Sequence, residues 1–187
     1  MTILPVRVLP ADATVLRRKA NRVSRIDRSI QMLIDDMIES MYEAEGVGIA
    51  APQVGVSLRV IVIGLPEEEP FALINPEIIK QFGERRILEG CLSVPGFRGE
   101  IQRSVKVLAK GLDREGKEIR VKAEDDLLAQ ALEHEIDHIN GTIYIDHLES
   151  KDDLYALEDL ERAEAEADRE DAGDEVGGAA AAQESVD

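Results

Sequence analysis

The chain has no tryptophan, and only three tyrosines and three phenylalanines in 187 residues. A core must therefore be assembled from Ile, Leu, Val, Met and Ala, which dominate an apolar content of 44 %. There is a single cysteine, Cys91, so an intramolecular disulfide is excluded. That thiol is left as a metal ligand, a nucleophile or a small buried apolar group. No apolar run approaches the ~18 residues that cross a bilayer. The opening Met1-Thr2-Ile3-Leu4-Pro5-Val6 lacks both the basic and apolar stretches of a secretory leader and the Arg/Ser richness of a transit peptide. A soluble, cytoplasmic, membrane-free protein is the expectation.

Basic residues are also scarce, 22 against 39 acidic ones, for a net charge of −17. The imbalance is local: residues 149–187 hold 15 acidic and 3 basic residues, whereas 1–148 are close to balance. Phosphate contact needs clustered Lys and Arg, so direct nucleic-acid binding is not expected. The length suits one domain over 1–148, followed by an acidic tail over 149–187. Small size and a charged exterior favour a monomer.

What is present is mainly periodic. A short helical pattern covers 11–20, and a stronger one runs from about 27 to 44. In the latter, Ile26, Ile30, Leu33, Ile34, Met37, Ile38 and Met41 fall on one face, Asp27 is placed to cap, and Gly46-Val47-Gly48 follows as a stop. Leu58 to Gly64 reads as a buried strand. Phe71 to Asn75 and Glu77 to Phe82 read as two more, separated by Pro76. Residues 101–110 and 117–122 read as a hairpin turning at Asp113-Arg114-Glu115-Gly116. A helix is predicted over about 125–139, capped by Asp125 or Asp126 and stopped by Asn140-Gly141. Residues 151–170 read as an exposed charged helix. Residues 171–187 hold too little apolar surface to offset ordering entropy, so disorder is expected there. Together these give an α+β fold: short strands in antiparallel or mixed sheets around a central helix, with N-terminal helices and a helical, then disordered, acidic tail.

The central helix carries the chemistry. His134-Glu135-Ile136-Asp137-His138 places two imidazoles four residues apart, one turn on one face, with a carboxylate beside them. Such a pair can grip one metal ion while Glu135 moves protons. Leu128, Leu132, Ile136 and Ile139 form the ridge expected to face the core. Leu127, Ala131, His134 and His138 form the neighbouring ridge, expected to line a cavity. A catalytic metal site needs a third protein ligand and one open position. Tyr144 stands where a metzincin-type protease would place its third histidine. A downstream glutamate, His147 and Cys91 are the remaining candidates, and a solvated histidine pair or a structural metal module are the bland alternatives.

Three segments in order then resemble peptide deformylase: Gly46-Val47-Gly48-Ile49-Ala50-Ala51-Pro52-Gln53, Glu89-Gly90-Cys91-Leu92-Ser93 and His134-Glu135-Ile136-Asp137-His138. The resemblance spans about residues 3–148. It implies an enzyme that removes the N-formyl group from the initiator methionine of nascent proteins, releasing formate. It implies Cys91, His134 and His138 as ligands of Fe²⁺, replaceable by Zn²⁺, Ni²⁺ or Co²⁺. It assigns Glu135 as general base, and Gln53 and the backbone N–H of Leu92 as oxyanion donors. It places the peptide along Gly46 and Gly48 and the methionine side chain against Ile49, Leu127, Ala131 and His134. Glu89 and Arg98 are expected to pair behind Cys91. N-formylmethionyl nascent peptides are the implied partners, with transient ribosome association left open, since the acidic tail is poorly suited to ribosomal RNA. Gln130-Ala131-Leu132-Glu133 departs from the bulkier apolar residues usual in the family, implying a wider or more polar methionine pocket. A metallopeptidase is the competing enzyme class, separable by comparing formylated with unformylated peptides.

Overall fold

The computed structural model describes residues 2–167. Its helices are α1 (Ala13–Leu16), α2 (Arg28–Glu43) and α3 (Leu127–Asn140), with a further helical segment beginning at residue 157. Its strands are β1 (Gly48–Ala50), β2 (Val60–Ile63), β3 (Phe71–Phe82), β4 (Arg85–Cys91), β5 (Val94–Arg103), β6 (Lys106–Leu112), β7 (Glu118–Glu124) and β8 (Leu154–Ala156). One antiparallel sheet has the order β1-β2-β3-β6-β7, and a second has the order β4-β5-β8. The α+β expectation holds, with every strand pair in the two sheets antiparallel.

Alternation along β2 explains its wholly apolar sequence. Val60 and Val62 face α2, in a cluster with Ile34, Met37, Met41 and Ile49. Ile61 and Ile63 face α3, in a cluster with Ala50, Leu73, Leu132 and Ile136. A strand covered by helices on both faces has no use for a polar residue. The core is aliphatic, as the lack of aromatics requires, and Tyr144 is the only aromatic among the largest fully buried side chains described.

The capping signals act as read. The Asp27 carboxylate accepts from the N–H groups of Ser29 and Ile30 at the start of α2, and that of Asp126 accepts from Ala129 N–H at the start of α3. Gly141 ends α3 at φ 83°, and a Cβ there would lie 2.7 Å from the Arg17 carbonyl oxygen. Asp113 accepts from the N–H groups of Glu115 and Lys117, fixing the β6–β7 turn.

Several expectations need correction. The helix over 11–20 is a single turn, Ala13–Leu16. The two strands around Pro76 are one, β3, with a register shift between Ile74 and Glu77. Asn75 adopts φ 53° in that bulge, and its side chain bonds both backbone groups of Val23. The hairpin arm over 101–110 is split, because Glu133 captures the N–H and hydroxyl of Ser104. Residues up to Arg103 thus belong to β5, and those from Lys106 to β6. The helix expected from 151 begins only at 157, because Leu154–Ala156 instead pairs with β5. The end of that helix and the disorder expected over 171–187 lie outside the described residues.

Candidate active site

Cys91 is the last residue of β4, and His134 and His138 stand one turn apart on α3, so a sheet edge and a buried helix meet at three donor atoms. These atoms lie within 4.8 Å of one another. His138 Nε2 is 3.2 Å from His134 Nε2 and 3.2 Å from Cys91 Sγ. At most one of two facing ring nitrogens can carry a proton. The cluster therefore gathers more lone pairs than protons, an arrangement that a cation satisfies. Two imidazoles and a thiolate suit Fe²⁺ or Zn²⁺. The residues present fit a three-ligand metal site, and a cleft gives access to it.

Within this cluster, His134 is held from behind by buried charge. Glu89 Oε1 lies 2.5 Å from His134 Nδ1; accepting that proton leaves the Nε2 lone pair to face the cluster. Arg103 donates to both oxygens of Glu89, at 3.0 and 2.7 Å, and to Asp137 at 2.7 Å. His147 Nε2 closes the row, 2.8 Å from Asp137. Burial would raise the Glu89 carboxyl, but hydrogen bonds from His134 and Arg103, with their charges, hold it at about 2. The pairing expected between Glu89 and Arg98 is not formed. Arg98 lies opposite Gly90 in the β4–β5 register, so its side chain leaves on the face that Glu89 does not use. It lines the cleft instead.

Glu135 lies on the cleft side of the cluster. It is buried, and its Oε2 has no hydrogen-bond partner. Burial pushes its carboxyl up to about 7, where a group can both take and return a proton near neutral pH. Gly48 makes room for it: a Cβ there would stand 2.5 Å from Glu135 Oε1. Gln53 is buried with its orientation fixed. Its Oε1 accepts from Ala50 N–H at 2.8 Å, turning Nε2 toward Ser93 Oγ at 3.3 Å and Cys91 Sγ at 3.7 Å. The cleft has a volume of about 650 Å³ and reaches Gly46, Leu92, Leu127 and Ala131 as expected. Ile49 is the exception. It is fully buried on the α2 side of β1, in the core cluster rather than the cleft wall, because strand alternation sends it opposite to Gly48.

The polypeptide deformylase family matches residues 4–153. A peptide deformylase of Dehalococcoides mccartyi is 55 % identical over 152 residues, which are 81 % of this chain and 90 % of that protein. The chain belongs to the peptide deformylase family. It is thus an enzyme, a metal-dependent hydrolase that removes the N-formyl group from nascent peptides. The crystal structure of a peptide deformylase from Synechococcus elongatus in complex with actinonin has a TM-score of 0.76 at 39 % identity, covering 81 % of each chain. A Met-Ala-Ser-bound peptide deformylase from Acinetobacter baumannii has a TM-score of 0.73 at 33 % identity, covering 79 % of this chain and 99 % of that one.

Sequence reasoning missed Arg103, Asp137 and Ser93. Asp137 sits inside the helix motif, but its spacing gave it no role. Arg103 could have been found by parity. Placing β4 and β5 as a hairpin puts Glu89 and Arg103 on one face and Arg98 on the other. Tyr144, the residue in place of a third histidine, is structural: it is buried, and its hydroxyl donates to the Phe97 carbonyl at 3.3 Å.

Proposed function

We propose that this chain deformylates N-formylmethionyl peptides with Cys91, His134 and His138 holding Fe²⁺ and Glu135 as the proton carrier. The observation that carries the reading is the unpartnered, buried Glu135 Oε2, on a residue that lines the cleft beside three converging donors. A bound ion supplies Lewis acidity toward water and the formyl oxygen. Glu135 takes a proton from the attacking water. Water oxygen adds to the formyl carbon, and the backbone N–H of Leu92 and Gln53 Nε2 donate to the oxyanion that develops. Glu135 then returns the proton to the amine nitrogen as the C–N bond breaks, releasing formate and a free N-terminus. The peptide runs along Gly46 and Gly48 as an added strand. Its methionine side chain lies against Leu127, Ala131 and the ring of His134.

Glu135→Gln tests the mechanism. It should keep the fold and the bound metal but lose about 10²–10⁴-fold in kcat on formyl-Met-Ala-Ser. Near-normal turnover in that variant would remove Glu135 from the reaction. The choice of iron is tested by anaerobic purification with metal analysis. A ferrous site with a thiolate ligand should lose activity in air, and full air stability would point to Zn²⁺ or Ni²⁺.

The proposed setting is a monomer in the cytoplasm. No helix among the described residues is long and apolar enough to cross a membrane. The acidic charge of residues 149–187 disfavours contact with ribosomal RNA, and any association with the ribosome would be transient. The folded catalytic unit is proposed to extend past 148 to include β8, which β5 binds along Phe97, Arg98 and Gly99.

A further inference from the structure

The mouth of the cleft has an apolar rim that the metal chemistry does not use. Leu88 and Phe97 line it and are about half exposed, at 41 % and 46 %. A third apolar residue on the same cleft, Leu157, comes from a distant part of the chain. Leu157 lies beyond residue 153, where the family match ends. It is carried to the cleft by β8, whose Ala156 pairs with Phe97 and whose Tyr155 pairs with Arg98.

Distance along the strand indicates what this rim would meet. Leu88 precedes Cys91 by three residues on β4, a span of roughly 10 Å at the usual strand rise. An extended peptide with its formyl carbon at the Cys91–His134–His138 cluster covers the same span, at a similar rise, to reach its third residue. A peptide running beside β4 away from the cluster would bring its third side chain level with Leu88, on the cleft that Phe97 and Leu157 also line.

We infer that Leu157 is a specificity residue, and that β8 and the start of the following helix complete a subsite for an apolar side chain at the third position of the formylated peptide. The inference rests on the deformylase reading of the cleft. Leu157 touches no reacting atom; its contribution is contact with a side chain that only longer substrates possess.

The test uses the full chain and three substrates: formyl-Met-Ala, formyl-Met-Ala-Ser and formyl-Met-Ala-Leu. The wild type should favour formyl-Met-Ala-Leu through a lower KM. Leu157→Ala should raise KM for that peptide about 3–10-fold, leave kcat within about twofold, and leave formyl-Met-Ala unchanged. Leu157→Met should restore the preference. A uniform change on all three peptides, or none on any, would overturn the subsite. Wild-type inactivity on every formylated peptide would instead reject the deformylase reading, and this inference with it.

Discussion

The β4–β5 hairpin carries two arginine–carboxylate networks, one on each face, and they differ in almost everything but composition. On the inner face, Arg103, Glu89 and Asp137 have side-chain exposures of 4 %, 1 % and 22 %. On the outer face, Arg86 reaches Glu100, Glu149 and Asp153 with its own side chain 46 % exposed. The outer contacts compete with water and are screened by salt, so they add little. The inner pair of Arg103 and Glu89 is shut off from water, and each member depends on the other. The inner row also ends on His134 of the three-donor cluster, whereas the outer one ends in solvent. Function is built where charge could not be left unpaired.

Arg103→Ala against Arg86→Ala breaks this comparison most directly. Removing Arg103 leaves the buried Glu89 with His134 alone and the half-buried Asp137 with His147 alone, and should cost about 3–5 kcal/mol, a Tm loss on the order of 10 °C for a chain this size. Removing Arg86 should give a small loss that disappears in high salt. Thermal melts at low and high ionic strength check both. Equal effects from the two variants would show that burial is not what separates the networks.

That distinction also marks what was legible in the sequence. Cys91, His134, Glu135 and His138 were legible because each residue type is rare here or sits at a spacing only a helix explains. Asp27, Asp126 and Gly141 were legible because caps act over three or four residues. The β4–β5 hairpin was not read, since its turn at Leu92-Ser93 lies inside the Cys91 segment, and its outer face breaks the apolar alternation with charge. The partner of Glu89 was misassigned for that reason: sequence proximity favoured Arg98, and strand register chose Arg103. The short strand β8 has no periodicity of its own and exists because β5 offers it an edge. The family resemblance placed Ile49 in the cleft, although alternation along β1 turns it into the core.

A gentler substitution sharpens the comparison further. Glu89→Gln keeps the shape of the inner network but removes its charge, and leaves one acceptor oxygen where His134 and Arg103 now share two. Metal affinity should fall about 10–100-fold, measured by competition with a chelator, while the fold persists. Glu100→Gln, the same change on the outer face, should leave metal affinity untouched. A matched loss in both would mean that the effect is a general electrostatic one rather than the orientation of His134.

The smallest effect belongs to a carboxylate that is exposed yet not idle, and it qualifies the contrast between faces. Asp27 is at the surface, but its partners are fixed by the helix rather than carried on mobile side chains. Hydrogen bonds from the Ser29 hydroxyl and then from the backbone N–H groups of Ile30 and Ser29 lower its carboxyl below the usual 3.8. A depressed folded-state value means stabilisation above about pH 3.8 that is lost as pH falls below it. The gap in urea midpoint between wild type and Asp27→Ala should thus be open at pH 6 and close as the pH drops through and below 3.8. Because Asp27 bonds within the first turn of α2 and to none of Cys91, His134 or His138, acid release of a metal held there should affect both proteins alike. Asp27→Asn, which caps without a charge, should show no such closing. A gap between wild type and Asp27→Ala that stays constant with pH would mean that Asp27 acts through side-chain packing and not as an ionised cap.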